Sequence, residues 1–252
     1  MRARIVPASQ GLRWLAEGWG IFRAAPLGWL ALVFVYLFST QVVALVPVVG
    51  LVAALVAVPG LSVGLMGAAR AASRGGAVHV TMLLEGFRNG LPAQLVLGAA
   101  YLAFSLALFG VLALVDDAGA LRAALAGGEP QPAEPGDLAL AGAAAAVFYL
   151  PVAMLFWFAP VLAAWHSVSP GKALFFSFAA CLMNWRAFLA YGVLTAFVML
   201  ALPLVALALP VAVFGLPSAR LAPLLVPLLL VLLPTLFASF YASYRDVFGG
   251  GE

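Results

Sequence analysis

Between Arg23 and Arg70 the chain has 46 consecutive positions, Ala24 to Ala69, without a charge. One helical crossing of the hydrocarbon core takes about 20 apolar residues. The run therefore predicts two spans, roughly 27–46 and 51–69, divided at the turn signal PVVG (Pro47–Gly50). A second uncharged run, Asn89 to Val115, predicts a third span that stops at Asp116–Asp117. The Gly/Pro-rich acidic stretch 116–137 reads as a solvent loop. Leu138–Trp165 predicts a fourth span with Pro151 and Pro160 inside it. Ala187–Ala219 predicts a fifth, ending in a proline-punctuated turn around 210–217, and Leu221–Tyr244 a sixth. Backbone groups in lipid must pair within the segment, so the spans should be helices, and each proline implies a kink or a helix end. The predicted fold class is an all-α polytopic membrane protein, with about six transmembrane helices in three hairpins forming a single membrane domain over 1–252. Five spans with one re-entrant segment is the rival.

The segments before spans one, three and five resemble one another. They read LAEGWGIFRAAP, LLEGFRNGLP and FFSFAACLMNWRAF. Glu17-Gly18-Trp19 aligns with Glu85-Gly86-Phe87, and both lead through an arginine to a proline, Pro26 or Pro92, suited to a helix start. The third segment keeps Ser177-Phe178 and an arginine but lacks the glutamate and the proline. In the first, Leu12, Leu15, Trp19 and Phe22 share one helical face, and Arg13 and Glu17 share another. In the third, Phe175, Phe178, Leu182 and Trp185 form an apolar stripe with hardly any polar face, which predicts deeper burial. Each hairpin is thus expected to follow an interfacial amphipathic helix, giving pseudo-repeats over about 8–70, 77–165 and 170–245. In the first, Trp19 and Phe22 should face the acyl edge, with the glutamate and arginine toward water and headgroups. Juxtamembrane linkers with an aromatic belt are the plainer alternative.

Composition agrees with the pattern. The chain is 66% hydrophobic and 8% charged, with a mean hydropathy of +1.16, against about 25% charged residues in a soluble domain. Twelve basic residues dispersed along the chain form no nucleic-acid patch, so no nucleic-acid partner is expected. Their distribution instead orients the spans. With six spans and both termini inside, ten basic and four acidic residues lie inside, a net +6. Two basic (Arg122, Arg220) and five acidic residues (Asp116, Asp117, Glu129, Glu134, Asp137) lie outside, a net −3. Basic residues favour the cytoplasm, which predicts cytoplasmic termini and an extracytoplasmic acidic loop. The N-terminal stretch has no short apolar core with a small-residue cleavage site, so no cleaved signal peptide is expected.

The segments EGWGIFRAAP, PGLSVGLMGAARAASRGG (Pro59–Gly76) and WFAPVLAAWHSVSPGKALFFSFAACLMNWRAF (Trp157–Phe188) resemble a family of uncharacterised bacterial six-helix inner-membrane proteins. That family is distantly similar to the membrane-anchor domain of some glycerophosphoryl diester phosphodiesterases. The resemblance covers nearly all of the chain except the acidic loop and the C-terminal tail, and it rests on prolines, glycines and aromatics. It implies a multi-pass inner-membrane location. No phosphodiesterase domain is present, so that activity does not carry over.

Chemistry is sparse. Every span as delimited above lacks Asp, Glu, Lys and Arg, which argues against ion-coupled transport or an intramembrane hydrolase. His79 and His166 sit at span boundaries without further ligands at metal spacing. Cys181, the single cysteine, lies in an apolar stripe and reads as a small buried hydrophobe. Asp116–Asp117 read as a solvated helix end. Glu17 and Glu85 recur at equivalent places, with Arg13 and Arg88 nearby, and suit pairing across repeats or headgroup contact. There is no GxxxxGK[ST] loop. Gly60, Gly64 and Gly67 allow a second helix to approach closely. Pro203 and Pro210, and Pro227 and Pro234, are each seven apart and kink spans five and six. No catalytic, cofactor or metal residue is assigned and no enzyme activity is expected. Two functions stay open: a protein organising membrane lipid or another membrane protein at the cytoplasmic face, or a permease for an apolar or lipid-like solute.

Overall fold

The computed structural model describes residues 3–114, 135–215, 223 and 225–249, with residues 135–141 in backbone only. The described residues form helices and their connections. Helix α1 (Ala8–Ala24) turns at Ala25 into α2 (Pro26–Ala44), which pairs with α3 (Val49–Ser73). A 3-10 helix (Val80–Leu84) and the single turn α4 (Glu85–Arg88) lead into α5 (Leu91–Leu114). Next come α6 (Pro135–Phe156), α7 (Ala159–His166), α8 (Pro170–Met183), α9 (Trp185–Phe214) and α10 (Leu225–Phe248).

Among the described residues six helices are long and apolar enough to cross a membrane: α2, α3, α5, the α6–α7 unit over Gly142–His166, α9 and α10. The fourth breaks at Trp157–Phe158, and Pro160 opens α7, where its missing N–H costs nothing. Pro59, Pro151, Pro203, Pro210 and Pro234 lie inside helices. The α2–α3 turn spans 45–48 and sets Val48 at φ +60°, a strained value for a β-branched residue. Gly50 follows because a Cβ there would run into the Val43 carbonyl. The acidic loop lies outside the described residues except for its last positions, which begin α6; Asp116–Asp117, Arg122 and Arg220 also lie outside them.

The first and last described segments and every Lys and Arg among the described residues lie at one end of the bundle, the basic end. The helices run past the uncharged spans there, so Arg70, Arg186, Arg245 and Asp246 fall in terminal turns. The core sits at this end too. Trp29, Leu32 and Val33 from α2, Val63 to Ala72 from α3, and Leu97 from α5 pack with Phe158 to Ala163, Ala187 and Tyr191. Ala238 to Val247 from α10 completes it. Helix α9 has no buried residue beyond Tyr191 among those described, so its far half lies on the outside of the bundle. Small residues carry much of this core, as they do where lipid supplies no hydrophobic force to draw large side chains inward.

The three boundary segments differ from expectation in form and facing. Helix α1 is a full helix, but its inward stripe is Gly11, Trp14, Leu15, Gly18, Ile21 and Phe22. Trp19 faces outward as expected, whereas Phe22 is 5% exposed and faces the core. The reason is close backbone approach: a Cβ on Gly11 would strike the Ala187 carbonyl, and one on Gly18 would lie 2.8 Å from Ser239 Cβ. The second segment is a 3-10 turn and one α turn rather than an amphipathic helix. It occupies the glycine face of α3, since a Cβ at Gly64 would come within 2.5 Å of the Met82 carbonyl oxygen. The GxxxG stripe therefore receives residues 82–87, not a transmembrane helix. The third segment, α8, turns Ala173, Ser177, Ala180 and Cys181 inward and leaves Phe175, Leu182 and Trp185 of its apolar stripe exposed.

Candidate functional site

Polar side chains gather at the basic end, in two clusters built by the boundary segments. In the first, Asp246 near the end of α10 accepts from the Trp14 indole N–H (2.9 Å) and from Gln10 Nε2 (2.6 Å). Glu17, one turn further along α1, pairs with Arg245. Asn184, at the α8–α9 junction and 2% exposed, fastens the N-terminal segment. Its Oδ1 accepts from Val6 N–H (2.8 Å), and its Nδ2 donates to the carbonyls of Arg4 (3.0 Å) and Ala180 (2.9 Å). Arg4 N–H donates to the Val247 carbonyl.

The second cluster joins α3, α4, α7 and α10. Trp165 donates its indole N–H to Glu85 (2.9 Å), and Arg70 lies 5.0 Å over its ring. Trp165 packs edge-on to Tyr244, whose hydroxyl is 2.6 Å from His166 Nε2. An aromatic layer continues through Phe158, Phe188, Trp157 and Tyr191 to Trp14. These rings tie α1, α7, α9 and α10 by edge-to-face contacts.

The contacts of the three boundary segments correspond. Gly18 lies on Thr235 and Ser239 of α10, and Gly86 on Gly60 of α3. Ser177 of α8 donates to the Met154 carbonyl (2.7 Å) and accepts from Phe158 N–H (2.9 Å). Glu17 and Glu85 therefore both serve packing between elements. Arg13, exposed, makes no ion pair with Glu17, and Arg88 is likewise exposed.

His79 is exposed at the start of the 3-10 helix, and His166 is engaged by Tyr244. Among the described residues no three His, Cys, Asp or Glu side chains converge to hold a metal. Cys181 is 2% exposed, and burial pushes its thiol up to about 12, so it stays protonated. Gln94, on α5 and 1% exposed, donates to the Pro160 carbonyl (2.9 Å). Asn184 and Gln94 are the residues that attention to charged motifs passes over. Their signal is a lone polar residue at the edge of an apolar run.

No family model matches the chain, and no solved structure matches it. A "probable inner membrane protein" of Burkholderia thailandensis is 41% identical over 197 residues, covering 75% of this chain and 73% of that protein. With that identity across most of both chains, and six apolar helices to match, the chain belongs to the same family and is an integral, multi-pass inner-membrane protein.

Proposed function

We propose that this is a non-enzymatic inner-membrane protein that organises lipid at the cytoplasmic face, its termini lying on that side. The orientation rests on the basic end, since Lys and Arg favour the cytoplasm. One observation carries the lipid reading. Helix α1 buries one face in the protein and turns the other, with Leu12, Arg13, Ala16, Trp19 and Arg23, to the outside. That face holds two arginines and a tryptophan, Glu17 at its edge is paired with Arg245, and Arg23 sits 5.7 Å over the Trp19 ring. Arginine beside tryptophan at a membrane boundary suits headgroups, especially anionic ones. The three corresponding boundary contacts support reading the chain as three units, with the second and third segments docking on the unit before them and α1 docking on α10 of the third. The likeness to the anchor domain of glycerophosphoryl diester phosphodiesterases belongs to the same proposal, as a membrane-organising element.

The experiment compares thermal unfolding in nanodiscs of phosphatidylcholine with unfolding in phosphatidylglycerol. The anionic lipid should raise the midpoint for the wild type, and much less for R13Q/R23Q. Equal shifts in both proteins would overturn the reading. The permease alternative has one structural point in its favour, a cavity of about 210 Å3 among α3, α5 and α6. Tyr101, Ser105 and Tyr149 line it among aromatic and aliphatic side chains. It does not involve the prolines of α9 and α10.

A further inference from the structure

We propose that the groove between α1 and the first half of α9 is a binding site for one phospholipid, with an acyl chain along α9 and the phosphodiester at Arg186. The groove has a volume of about 590 Å3 and is almost wholly apolar. Leu12 of α1 forms one wall, and Trp185, Leu189, Val193 and Phe197 run along the other. Arg186 stands at the mouth.

Three features choose this occupant. The first is length. Arg186 to Phe197 is 11 helical steps, about 16 Å, against about 15 Å for the hydrocarbon of one leaflet. A chain whose headgroup sits at Arg186 thus reaches the groove's end near mid-membrane. The second is charge. Arg186 has no acidic partner among the described residues; its guanidinium lies 5.4 Å over the Trp185 ring. A cation at this depth favours an anion, and guanidinium offers paired donors that match phosphate oxygens. The third is shape. The walls belong to two elements held in fixed relation where Gly11 meets Ala187, so the groove is formed before any lipid arrives. A neutral apolar solute would leave Arg186 unmatched, and a peptide would bring unpaired backbone groups into lipid.

The inference takes its class of partner from the lipid reading above but shares only Leu12 with that surface and none of its arginines, so the two can fail separately. The protein would be released from nanodiscs containing equal phosphatidylethanolamine and phosphatidylglycerol, and bound lipid read by native mass spectrometry. Wild type should retain one phospholipid of either headgroup. R186Q should retain roughly tenfold less, through loss of a charge-assisted bond. V193W, which fills the groove without touching its mouth, should retain none, while R13Q/R23Q should retain as much as wild type. A wild type without retained lipid, or undiminished retention in R186Q and V193W, would overturn the site. Equal retention of diacylglycerol, which lacks phosphate, would overturn the assignment of Arg186. Loss in R13Q/R23Q alone would move lipid binding to the outer face of α1 and refute the groove.

Discussion

Trp14→Phe and Trp14→Ala separate two contributions that one side chain makes at the junction of α1, α9 and α10. Trp14 is fully buried, its ring lies 5.1 Å from Phe188 and 5.7 Å from Tyr191, and its N–H reaches Asp246 at 2.9 Å. Truncating a buried Phe or Trp to Ala costs about 3–5 kcal/mol in soluble cores. At a membrane boundary the transfer part is smaller, so Trp14→Ala should fall near the lower end, about 3 kcal/mol. Trp14→Phe keeps most of the ring and loses the donor. A hydrogen bond to a carboxylate is worth about 1.5–3 kcal/mol, but Asp246 keeps its bond from Gln10. Trp14→Phe should therefore cost about 1 kcal/mol. The assay is SDS-driven unfolding from mixed micelles at neutral pH, followed by a thiol-reactive coumarin maleimide. The single cysteine, Cys181, is buried and becomes reactive only on unfolding. A loss under about 1 kcal/mol for Trp14→Ala, or equal losses for both variants, would refute the claim that ring packing dominates at this junction.

Glycines on α1 give a paired test. Gly18→Leu should prevent α1 from docking on α10 and leave the protein unfolded or aggregated in detergent, whereas Gly20→Ala, with open space around it, should be neutral or stabilising by up to about 1 kcal/mol; size-exclusion profiles and unfolding midpoints distinguish them. Cys181 should resist maleimide in the folded protein and label fully in SDS at pH 8. Its thiol ionises near 9.0 when free and near 12 when buried, so its contribution to stability is full below pH 9 and declines as pH rises toward 12; a fold insensitive to alkali over that window would contradict the burial. The Glu17–Arg245 pair is 30% and 45% exposed, so a double-mutant cycle with E17Q and R245Q should return a coupling of no more than about 1 kcal/mol; a value of several would mean that the pair is more shielded than its exposure implies.

Six spans were legible from uncharged run lengths because a lipid-spanning backbone must satisfy itself within each segment. Their ends were less legible: α3, α9 and α10 continue past the last apolar position and carry Arg70, Arg186 and Arg245 in terminal turns. Facing was the least legible. In water an apolar stripe points into the protein, but Phe175, Leu182 and Trp185 are exposed. In lipid a large apolar side chain loses nothing by pointing out, and close approach of backbones decides instead. The informative pattern was therefore the small one. Gly11 and Gly18 on α1, seven apart, and Ala173, Ser177 and Cys181 on α8, four apart, mark the faces that turn inward.

The recurrence of Glu17 and Glu85 was visible in sequence, but its meaning depends on what each lies against. Gly86 docks at Gly60, and ten residues on along α3 stands Arg70; Gly18 docks at Thr235, and ten residues on along α10 stands Arg245. Ser177 docks at Met154, and the position ten residues on is Ala164; there the boundary segment has Phe176 in place of a glutamate. The acid occurs where an arginine waits and is absent where one does not. An unmatched carboxylate at a membrane boundary is expensive, so this joint presence and absence assigns Glu17 and Glu85 to registering segments on their neighbours. With the acids committed inside the protein, the basic groups at its lipid-facing surface, Arg13, Arg23 and Arg186 beside Trp19 and Trp185, keep their charge for something outside it. On the lipid reading proposed above, that partner is a lipid phosphate.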